Sequence, residues 1–477
     1  MSRTIAKNAV LMMIASAGQK VISFVYFTVI ARSIGVEGTG KYFFALSFTT
    51  VFVVFVDLGF TNVLVREAAK AKEKIQEYFS VILGTKVILG LLTYVAAIAT
   101  ITLLDYPLET RSLVYLSAIT MLFDSLHLTF YGVLRAIGEL RYEAKSVMVS
   151  QFLTLLLGSI FLYLRLPLIY LILAFTVPSV LNALYAGSVL HFKHGISVVP
   201  VYNKKVFFHL AGIAVPFAIA AILARCYSYV DSLILSRLAG DAAVGLYSIP
   251  YKLTYAFQFI PLALIAALYP RFSEYFEHNK EKLAFLYQEG IKYLFLCVSP
   301  IAVGISVLAK DIIVQVYSAD YLPSVLPLQI LMVGLVFSFI SFPIGAFLNA
   351  CNRQKTQTTI VAFVLAVNVA LNLLLIPRYG IVGAASAALI GNILLTLFGY
   401  YVSQRVTVIA HGYLIKMIGQ IGLSTIVMGI GVYYMKFFAH FTIAIVFGAV
   451  VYIAMLFLTK TITRSEISDI KALLTKA

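Results

Sequence analysis

The chain repeats itself, and this repeat limits its fold more than any other feature. When the sequence is shifted by 205 positions, charged, glycine and aromatic residues of the first half fall on similar residues of the second half. Apolar composition alone would not align charges and glycines at a single offset, so we interpret the pattern as an internal duplication. The matched pairs are Lys20 with Arg225, Arg32 with Arg237, Gly35 with Gly240, Gly40 with Gly245, Tyr42 with Tyr247 and Arg66 with Arg271.

Composition indicates a membrane protein. Of the 477 residues, 61% are hydrophobic and only 12% are charged, and a soluble protein could not bury so many apolar side chains. About fourteen apolar runs between residues 9 and 459 are long enough to cross a bilayer as helices. The sequence therefore predicts an all-α polytopic membrane protein. Its first span is expected to be a retained helix, because no small-residue cleavage site follows Met1–Lys7.

The repeat also predicts how the spans are grouped. The offset of 205 carries the first span onto the seventh, and a weaker match at an offset of 214 joins the ends of the fourth and tenth spans. The repeat unit therefore has six helices, and an even number returns the chain to its starting side. We expect two parallel six-helix lobes related by a pseudo-twofold axis along the membrane normal. The weaker match pairs Leu134-Arg135-Ala136 with Leu348-Asn349-Ala350.

Three segments follow from this grouping. An N-terminal lobe covers residues 1–195, a C-terminal lobe covers 206–405, and residues 406–477 hold two further spans and a tail. The two further spans either form an accessory pair that lines a lateral groove or pack as two ordinary helices. The tail is either an amphipathic helix on the inner leaflet or loosely ordered. Its apolar residues at helical spacing are Ile467, Ile470, Leu473 and Leu474.

Basic residues predict the orientation of the spans. With the N-terminus placed in the cytoplasm, 24 of the 36 lysines and arginines fall on inner connections, 8 on outer connections and 4 inside spans. This bias predicts a multi-pass protein of the cell membrane with both termini cytoplasmic. Membrane topology then explains the net charge of +16, and nucleic acid is not expected as a partner.

Two of the cations inside spans occupy equivalent positions in the repeat. Lys20 and Arg225 each precede an arginine at the outer end of their span by twelve residues, which is about 18 Å along a helix and near the bilayer midplane. A charge at that depth is costly and usually functional. If both face inward, they form a trap for a phosphate or pyrophosphate headgroup. The alternative is that each neutralises a nearby acidic side chain.

The remaining cations inside spans are Lys86, in the third span, and Lys252, in the eighth. Each is a candidate ligand for the same headgroup. Each also lies close enough to a span end for its ammonium to reach the membrane surface instead. Asp57, near the inner end of the second span, is interpreted as a residue that anchors a helix end.

Three residues are candidates for binding a coupling ion. Asp124 and His127 are three residues apart and share a helix face, where a carboxylate beside an imidazole could take up and release a proton. A structural hydrogen-bonded pair is the alternative. Asp231 follows Arg225 by six residues, about 120° around the helix. It is therefore better placed to meet a neighbouring helix than to pair with Arg225.

The sequence contains no recognisable catalytic constellation. The run from Gly35 to Lys41 has the glycine and lysine spacing of a phosphate-binding loop, but a membrane helix precedes it. Tyr42, rather than serine or threonine, follows the lysine. The seven histidines are scattered, and the three cysteines form no zinc or disulfide pattern. We therefore expect no enzyme activity, no cofactor and no metal site.

Several short motifs resemble those of a known family. They are Ala31-Arg-Ser-Ile-Gly35, Gly40-Lys-Tyr42, Asp57-Leu-Gly59 and Val65-Arg-Glu67 in the first half, and Asp231 with Gly245-Leu-Tyr247 in the second. In order and spacing they are similar to the signatures of the polysaccharide-biosynthesis, or O-antigen, flippases. That family belongs to the superfamily of multidrug, oligosaccharidyl-lipid and polysaccharide exporters, which also includes lipid II flippases.

The resemblance implies a fold and a function. It implies two six-helix lobes in a V shape, alternating access, and a sugar attached to polyprenyl pyrophosphate as substrate. Family cavities are often basic, which Lys20 and Arg225 match. The expected protein is a flippase that moves a polyprenyl-pyrophosphate-linked oligosaccharide from the inner to the outer leaflet. Its expected partners are that substrate, membrane lipids, and the glycosyltransferases or glycan polymerase of the same process.

Two other functions stay open from the sequence. A cation-coupled multidrug extruder of the same superfamily would favour acidic and aromatic cavity residues over basic ones. A non-transporting membrane scaffold or a lipid scramblase would not need two matched cations inside its spans.

Overall fold

The fold is helical throughout the part of the chain that the structure describes. The computed structural model describes the backbone of residues 2–461, and the side chains of Met12, Ala15 and all residues from 17 to 461. Nearly all of that range is helix and none of it is strand, which confirms the predicted all-α fold. The apolar tail predicted between Ile467 and Leu474 lies outside the described residues.

The helices follow one another with short connections. They are α1 (Ser2–Asp57), α2 (Phe60–Lys70), α3 (Ile75–Leu103), α4 (Leu108–Ala136), α5 (Leu140–Tyr163), α6 (Ile169–Ser188), α7 (Lys204–Ala256), α8 (Phe259–His278), α9 (Lys280–Val307), α10 (Ala309–Ile312), α11 (Val325–Ala350), α12 (Gln354–Ser403), α13 (His411–Met435) and α14 (Phe441–Leu458). Five-residue π-helical turns, Val189–Lys193 and Ile313–Tyr317, and two 3-10 turns, Lys72–Lys74 and Ala319–Ser324, complete the described elements.

Three of the helices are interrupted by a glycine. Within residues 2–461, eleven helical segments are long and apolar enough to cross a membrane. Gly35 in α1, Gly240 in α7 and Gly380 in α12 have φ values of 70°, 80° and 53° and are not helical. Only glycine adopts such a backbone without strain. Because each of the three helices turns back at its glycine, eleven segments supply fourteen spans, which is the predicted number.

Side-chain contacts show that the chain reverses at these glycines. Phe27 and Phe43 are sixteen residues apart, which would be about 24 Å in a straight helix, yet their ring centroids are 6.2 Å apart. In α12, Phe363 and Phe398 would be about 52 Å apart in a straight helix, and their ring centroids are 5.6 Å apart. Two side chains of α7 that are sixteen residues apart are also in contact, as described below. Each glycine is therefore the turn of a helical hairpin.

The structure bears out the repeat at both offsets. At 205, Gly35 (φ 70°, ψ −178°) and Gly240 (φ 80°, ψ 179°) have nearly the same backbone conformation. At 214, α4 and α11 end with the same hydrogen bond, since Glu139 N donates to Leu134 O and Arg353 N donates to Leu348 O, both at 2.8 Å. The residue after each helix C-cap, Gly138 (φ 84°) after α4 and Asn352 (φ 59°) after α11, has a left-handed backbone conformation. The matched positions thus carry the same local structure.

The chain divides into two compact units, one up to Ser248 and the other from Ile249 onward. In the first unit, a core cluster joins α2, α3, α4 and α6 with the start of α7. The linker between α6 and α7 lies on α3, where Val201 N donates to Ser80 O at 3.0 Å. The linker and the start of α7 both belong to the first unit, which extends to Ser248. This division does not test the lobe boundaries expected at residues 195 and 206, which stay a prediction.

In the second unit, α13 and α14 pack on the rest of the helices. The core cluster joins them to α8, α9 and α11. Together with α9 they also line an apolar groove of about 540 Å³, in which Pro300, Met428 and Tyr452 are among the lining residues. The last two spans are therefore both packing helices and part of a groove wall.

A second pair of matched glycines brings two backbones into contact inside the first unit. A Cβ added at Gly40 would lie 1.8 Å from Asp241 O, and a Cβ added at Gly245 would lie 2.0 Å from Val36 O. Val36 and Asp241 are themselves related by the offset of 205. The contact is therefore made by equivalent residues of the two copies, and it requires the absence of a side chain at both glycines.

We expect Gly245→Ala to destabilise the protein, because the new methyl group would meet backbone on the facing helix rather than a side chain that can move. Overpacking of this kind costs about 1–3 kcal/mol or more. Gly212→Ala in the same helix is the matched control, since nothing lies within 4 Å of its added Cβ, and helix propensity should make it stabilising by about 0.5–1 kcal/mol. Thermal unfolding in detergent measures both, and equal midpoints would contradict the backbone contact.

Candidate functional site

The two matched cations lie at the same distance from the turn glycines of their helices. Lys20 in α1 and Arg225 in α7 each precede the turn glycine of their helix by fifteen residues, about 22 Å along the helix. Lys20 is partly buried and Arg225 is exposed. A guanidinium facing lipid at this depth is very costly, so a polar cavity is the favoured environment for Arg225. The facing of the two side chains across such a cavity stays a prediction.

Lys252 lies well inside α7, beyond its turn glycine. It follows Gly240 by twelve residues in α7, which is about 18 Å along the helix from the turn. It is partly buried. A lysine side chain cannot cover that distance, which argues against the interpretation that its ammonium simply reaches the membrane surface. Its predicted role as a headgroup ligand is not tested by this placement.

Lys86 is enclosed by oxygen atoms in the interior of the first unit. Its Nζ lies 2.5 Å from Asp57 Oδ1. It donates to the hydroxyls of Thr61 at 2.8 Å and Thr129 at 2.6 Å, and to both the carbonyl (3.3 Å) and hydroxyl (3.2 Å) oxygens of Ser125. The side chain is only 1% exposed, so it does not extend to the membrane surface. The predicted role of Lys86 as a headgroup ligand gains no support from this geometry.

Asp57 ends α1 and anchors the start of α2. Its carboxylate accepts hydrogen bonds from the backbone N–H groups of Gly59 at 3.1 Å and Thr61 at 3.3 Å, and from the Thr61 hydroxyl. This confirms the interpretation of Asp57 as a residue at a helix end. The sequence analysis missed its pairing with Lys86. The available signal was that two neighbouring spans each contain one charge, of opposite sign.

Asp124 and His127 are together on α4, as their spacing predicts. His127 Nδ1 lies 3.7 Å from Asp124 Oδ1, and the Ser179 hydroxyl of α6 donates to Asp124 Oδ1 at 2.5 Å. The Asp124 side chain is 45% exposed, whereas the His127 side chain is 13% exposed. A half-exposed carboxylate with a hydroxyl donor and an adjacent imidazole could exchange a proton or a small cation with water. The role of the pair in ion coupling stays a prediction.

Asp231 meets a neighbouring helix rather than Arg225. The hydroxyl of Tyr247, on the other side of the Gly240 turn, donates to Asp231 Oδ2 at 3.3 Å. Asp231 is 7% exposed. The contact joins two residues of the second-half motif across the hairpin of α7, so this part of the motif stabilises the turn. Ion coupling through Asp231 is not tested by this contact.

A buried charge network in the second unit was also missed by the sequence analysis. Glu289 and Lys292 in α9 are 8% and 6% exposed, with Lys292 Nζ 3.4 Å from Glu289 Oε2. The Tyr413 hydroxyl of α13 donates to Glu289 Oε1 at 2.5 Å. The sequence analysis did not single out any of these residues. The network attaches α13 to α9.

The fold defines a multi-span helical membrane protein, and comparison with known proteins shows its family. A family model described as polysaccharide biosynthesis protein matches residues 5–276, more than half of the chain, and the chain therefore belongs to that family. A second model, MatE, matches residues 216–374.

The chain is also similar to individual membrane proteins over most of its length. A probable low-salt glycan biosynthesis flippase of Haloferax volcanii is 23% identical over 89% of this chain and 88% of its own length. An uncharacterized membrane protein of Methanocaldococcus jannaschii is 24% identical over 80% of this chain and 78% of its own. The solved structure of a lipid II flippase, MurJ, in an inward closed conformation superposes with a TM-score of 0.78 at 18% identity, covering 94% of this chain and 98% of that one. This likeness shows the fold.

We expect Tyr247→Phe to lower the stability of the protein, because the buried carboxylate of Asp231 would lose a hydrogen-bond donor. Such a loss costs about 1–3 kcal/mol. Tyr434→Phe is the control, since Tyr434 is 61% exposed and should tolerate removal of its hydroxyl. Thermal midpoints in detergent compare the two, and an unchanged midpoint for Tyr247→Phe would refute a stabilising role for this contact.

Proposed function

We propose that the protein is a flippase that carries an oligosaccharide linked to polyprenyl pyrophosphate from the inner to the outer leaflet by alternating access. Membership of the polysaccharide biosynthesis family supports the class of substrate. The single observation that carries the proposal is the pair of repeat-equivalent cations, Lys20 and Arg225, at equal depth within their spans. In this proposal the protein resides in the cell membrane with both termini in the cytoplasm.

The two cations would hold the anionic headgroup while the sugar crosses the membrane. An uncompensated pyrophosphate at the midplane would be very costly, and two nearby cations offset much of that cost. Arginine offers a planar fork that fits two phosphate oxygens, and lysine offers a mobile point charge. An inside-negative potential also favours outward movement of an anion, by about 2.3 kcal/mol per charge per 100 mV. The lipid tail would stay in the bilayer.

Lys20→Ala combined with Arg225→Ala should abolish glycan export while leaving the protein in the membrane in normal amount, because only the headgroup loses its partners. The measurement is complementation of a host whose surface glycan depends on this protein, together with quantification of the protein in membranes.

Two controls accompany that variant. The charge-conserving exchange Lys20→Arg with Arg225→Lys should retain much of the export, since both cations remain at the same depth. Lys204→Ala with Lys205→Ala removes two exposed cations outside the proposed cavity and should export normally. Normal export by the double alanine variant of Lys20 and Arg225 would overturn the proposed role.

Asp124 is the proposed site of a coupling ion, with His127 beside it. Asp124→Asn removes the charge but keeps an oxygen that can accept from Ser179, so it should preserve the fold. We expect it to make export independent of an imposed proton or sodium gradient in proteoliposomes. Ser179→Ala keeps the carboxylate and should keep the gradient dependence. If Asp124→Asn responds to the gradients as the wild type does, the pair is structural.

The match of the MatE model to residues 216–374 favours one alternative, a cation-coupled multidrug extruder. Such a protein would bind cationic drugs, for which Lys20 and Arg225 would be repulsive. A drug-resistance assay beside the glycan complementation assay separates the two functions, because resistance without complementation would favour the extruder.

A further inference from the structure

The surroundings of Lys86 contain more oxygen atoms than a lysine needs. An ammonium has three N–H donors, but five oxygen atoms of Asp57, Thr61, Ser125 and Thr129 lie between 2.5 and 3.3 Å from Nζ. We call these five atoms the oxygen cage. Surplus acceptors around one nitrogen resemble the coordination shell of a hard cation, which is built from carboxylate, carbonyl and hydroxyl oxygens.

Two of the three hydroxyl groups of the cage are oriented for a cation. The Thr61 hydroxyl donates its hydrogen to Asp57, and the Thr129 hydroxyl donates its hydrogen to the carbonyl of Ser125 at 2.8 Å. Each hydroxyl has one hydrogen, so both must offer lone pairs toward Nζ. This orientation is fixed by atoms other than Lys86 and would suit any cation of similar size.

We propose that the oxygen cage is a monovalent-cation site in which the ammonium of Lys86 takes the place of a free ion. The cage atoms come from the end of α1, from α2 and from α4, and the ammonium comes from α3. In the wild type the charge that an exchangeable ion would bring is therefore permanently supplied by the chain. An alkali cation such as Na⁺ is the ligand expected once Lys86 is replaced by a neutral residue.

The energetics of burial favour this interpretation. Asp57 and Lys86 neutralise each other, and removing one partner leaves an uncompensated charge in the interior. A neutral residue at position 86 would therefore create a demand for an external cation at the cage. A cavity of about 150 Å³, lined by Lys86, Ser125 and apolar side chains, adjoins the site. It gives an apolar replacement for Lys86 room to lie away from the cage oxygens.

The test is the salt dependence of thermal unfolding of purified Lys86→Met, compared in NaCl and in choline chloride at equal ionic strength. The difference between the two salts in the wild type measures ion binding elsewhere, such as at Asp124, and it is subtracted from the difference measured for each variant. The variant should gain stability with Na⁺ in a saturable manner. At ten times the dissociation constant its ratio of folded to unfolded protein should rise about eleven-fold, which for a chain of 477 residues is a shift of about 1–2 °C.

Asp57→Asn combined with Lys86→Met is the matched control, because its neutral cage has no charge to compensate and should show no preference for Na⁺. If Lys86→Met does not accumulate, Lys86→Gln is titrated in the same way. Equal midpoints in both salts for every folded variant that lacks Lys86 and keeps Asp57 would overturn the proposal. The assay requires no substrate, so its failure would leave the flippase proposal standing.

Discussion

Backbone groups within a bilayer have no water to bond to, and this constraint governs the rest of the structure. Helices satisfy it within each span, and in α1, α7 and α12 a single non-helical glycine is enough to reverse the chain. Gly35 and Gly240 supply that step at equivalent points of the repeat. Gly40 and Gly245 then let the two hairpins touch through their backbones. The duplication is thus clearest at the matched glycines.

The same lack of water makes the environment of each charge inside a span informative. Lys86 is surrounded by oxygens and paired with a carboxylate, so its charge is already compensated and has little to gain from an anionic ligand. Arg225 is exposed at mid-span depth, where compensation must come from water, from another residue or from a ligand. The sequence presents both residues as cations in apolar segments. Only their surroundings separate a structural charge from a candidate binding group.

The sequence predicted features that depend on residues close together in the chain, and it missed features that depend on packing between separate helices. The spans, the repeat and the shared face of Asp124 and His127 depend on neighbours in the chain, and each agrees with the structure. The pairing of Asp57 with Lys86 depends on the packing of α3 against the end of α1, which periodicity does not encode. The distance between Lys252 and its turn follows from the position of Gly240, which a hydrophobic run does not specify.

α4 carries two polar sites on different faces. Ser125 and Thr129 bind the ammonium of Lys86 from α3, while the adjacent Asp124 accepts from Ser179 of α6. The first site holds an ammonium that is part of the chain, whereas the second presents a half-exposed carboxylate, which is the proposed site of a coupling ion. An ion bound at Asp124 would therefore act on a helix that is also fastened, through Ser125, Thr129 and Lys86, to the end of α1 and the start of α2. This arrangement would let the occupancy of one carboxylate bias the packing of several spans, which is what coupling an ion to a change of access requires.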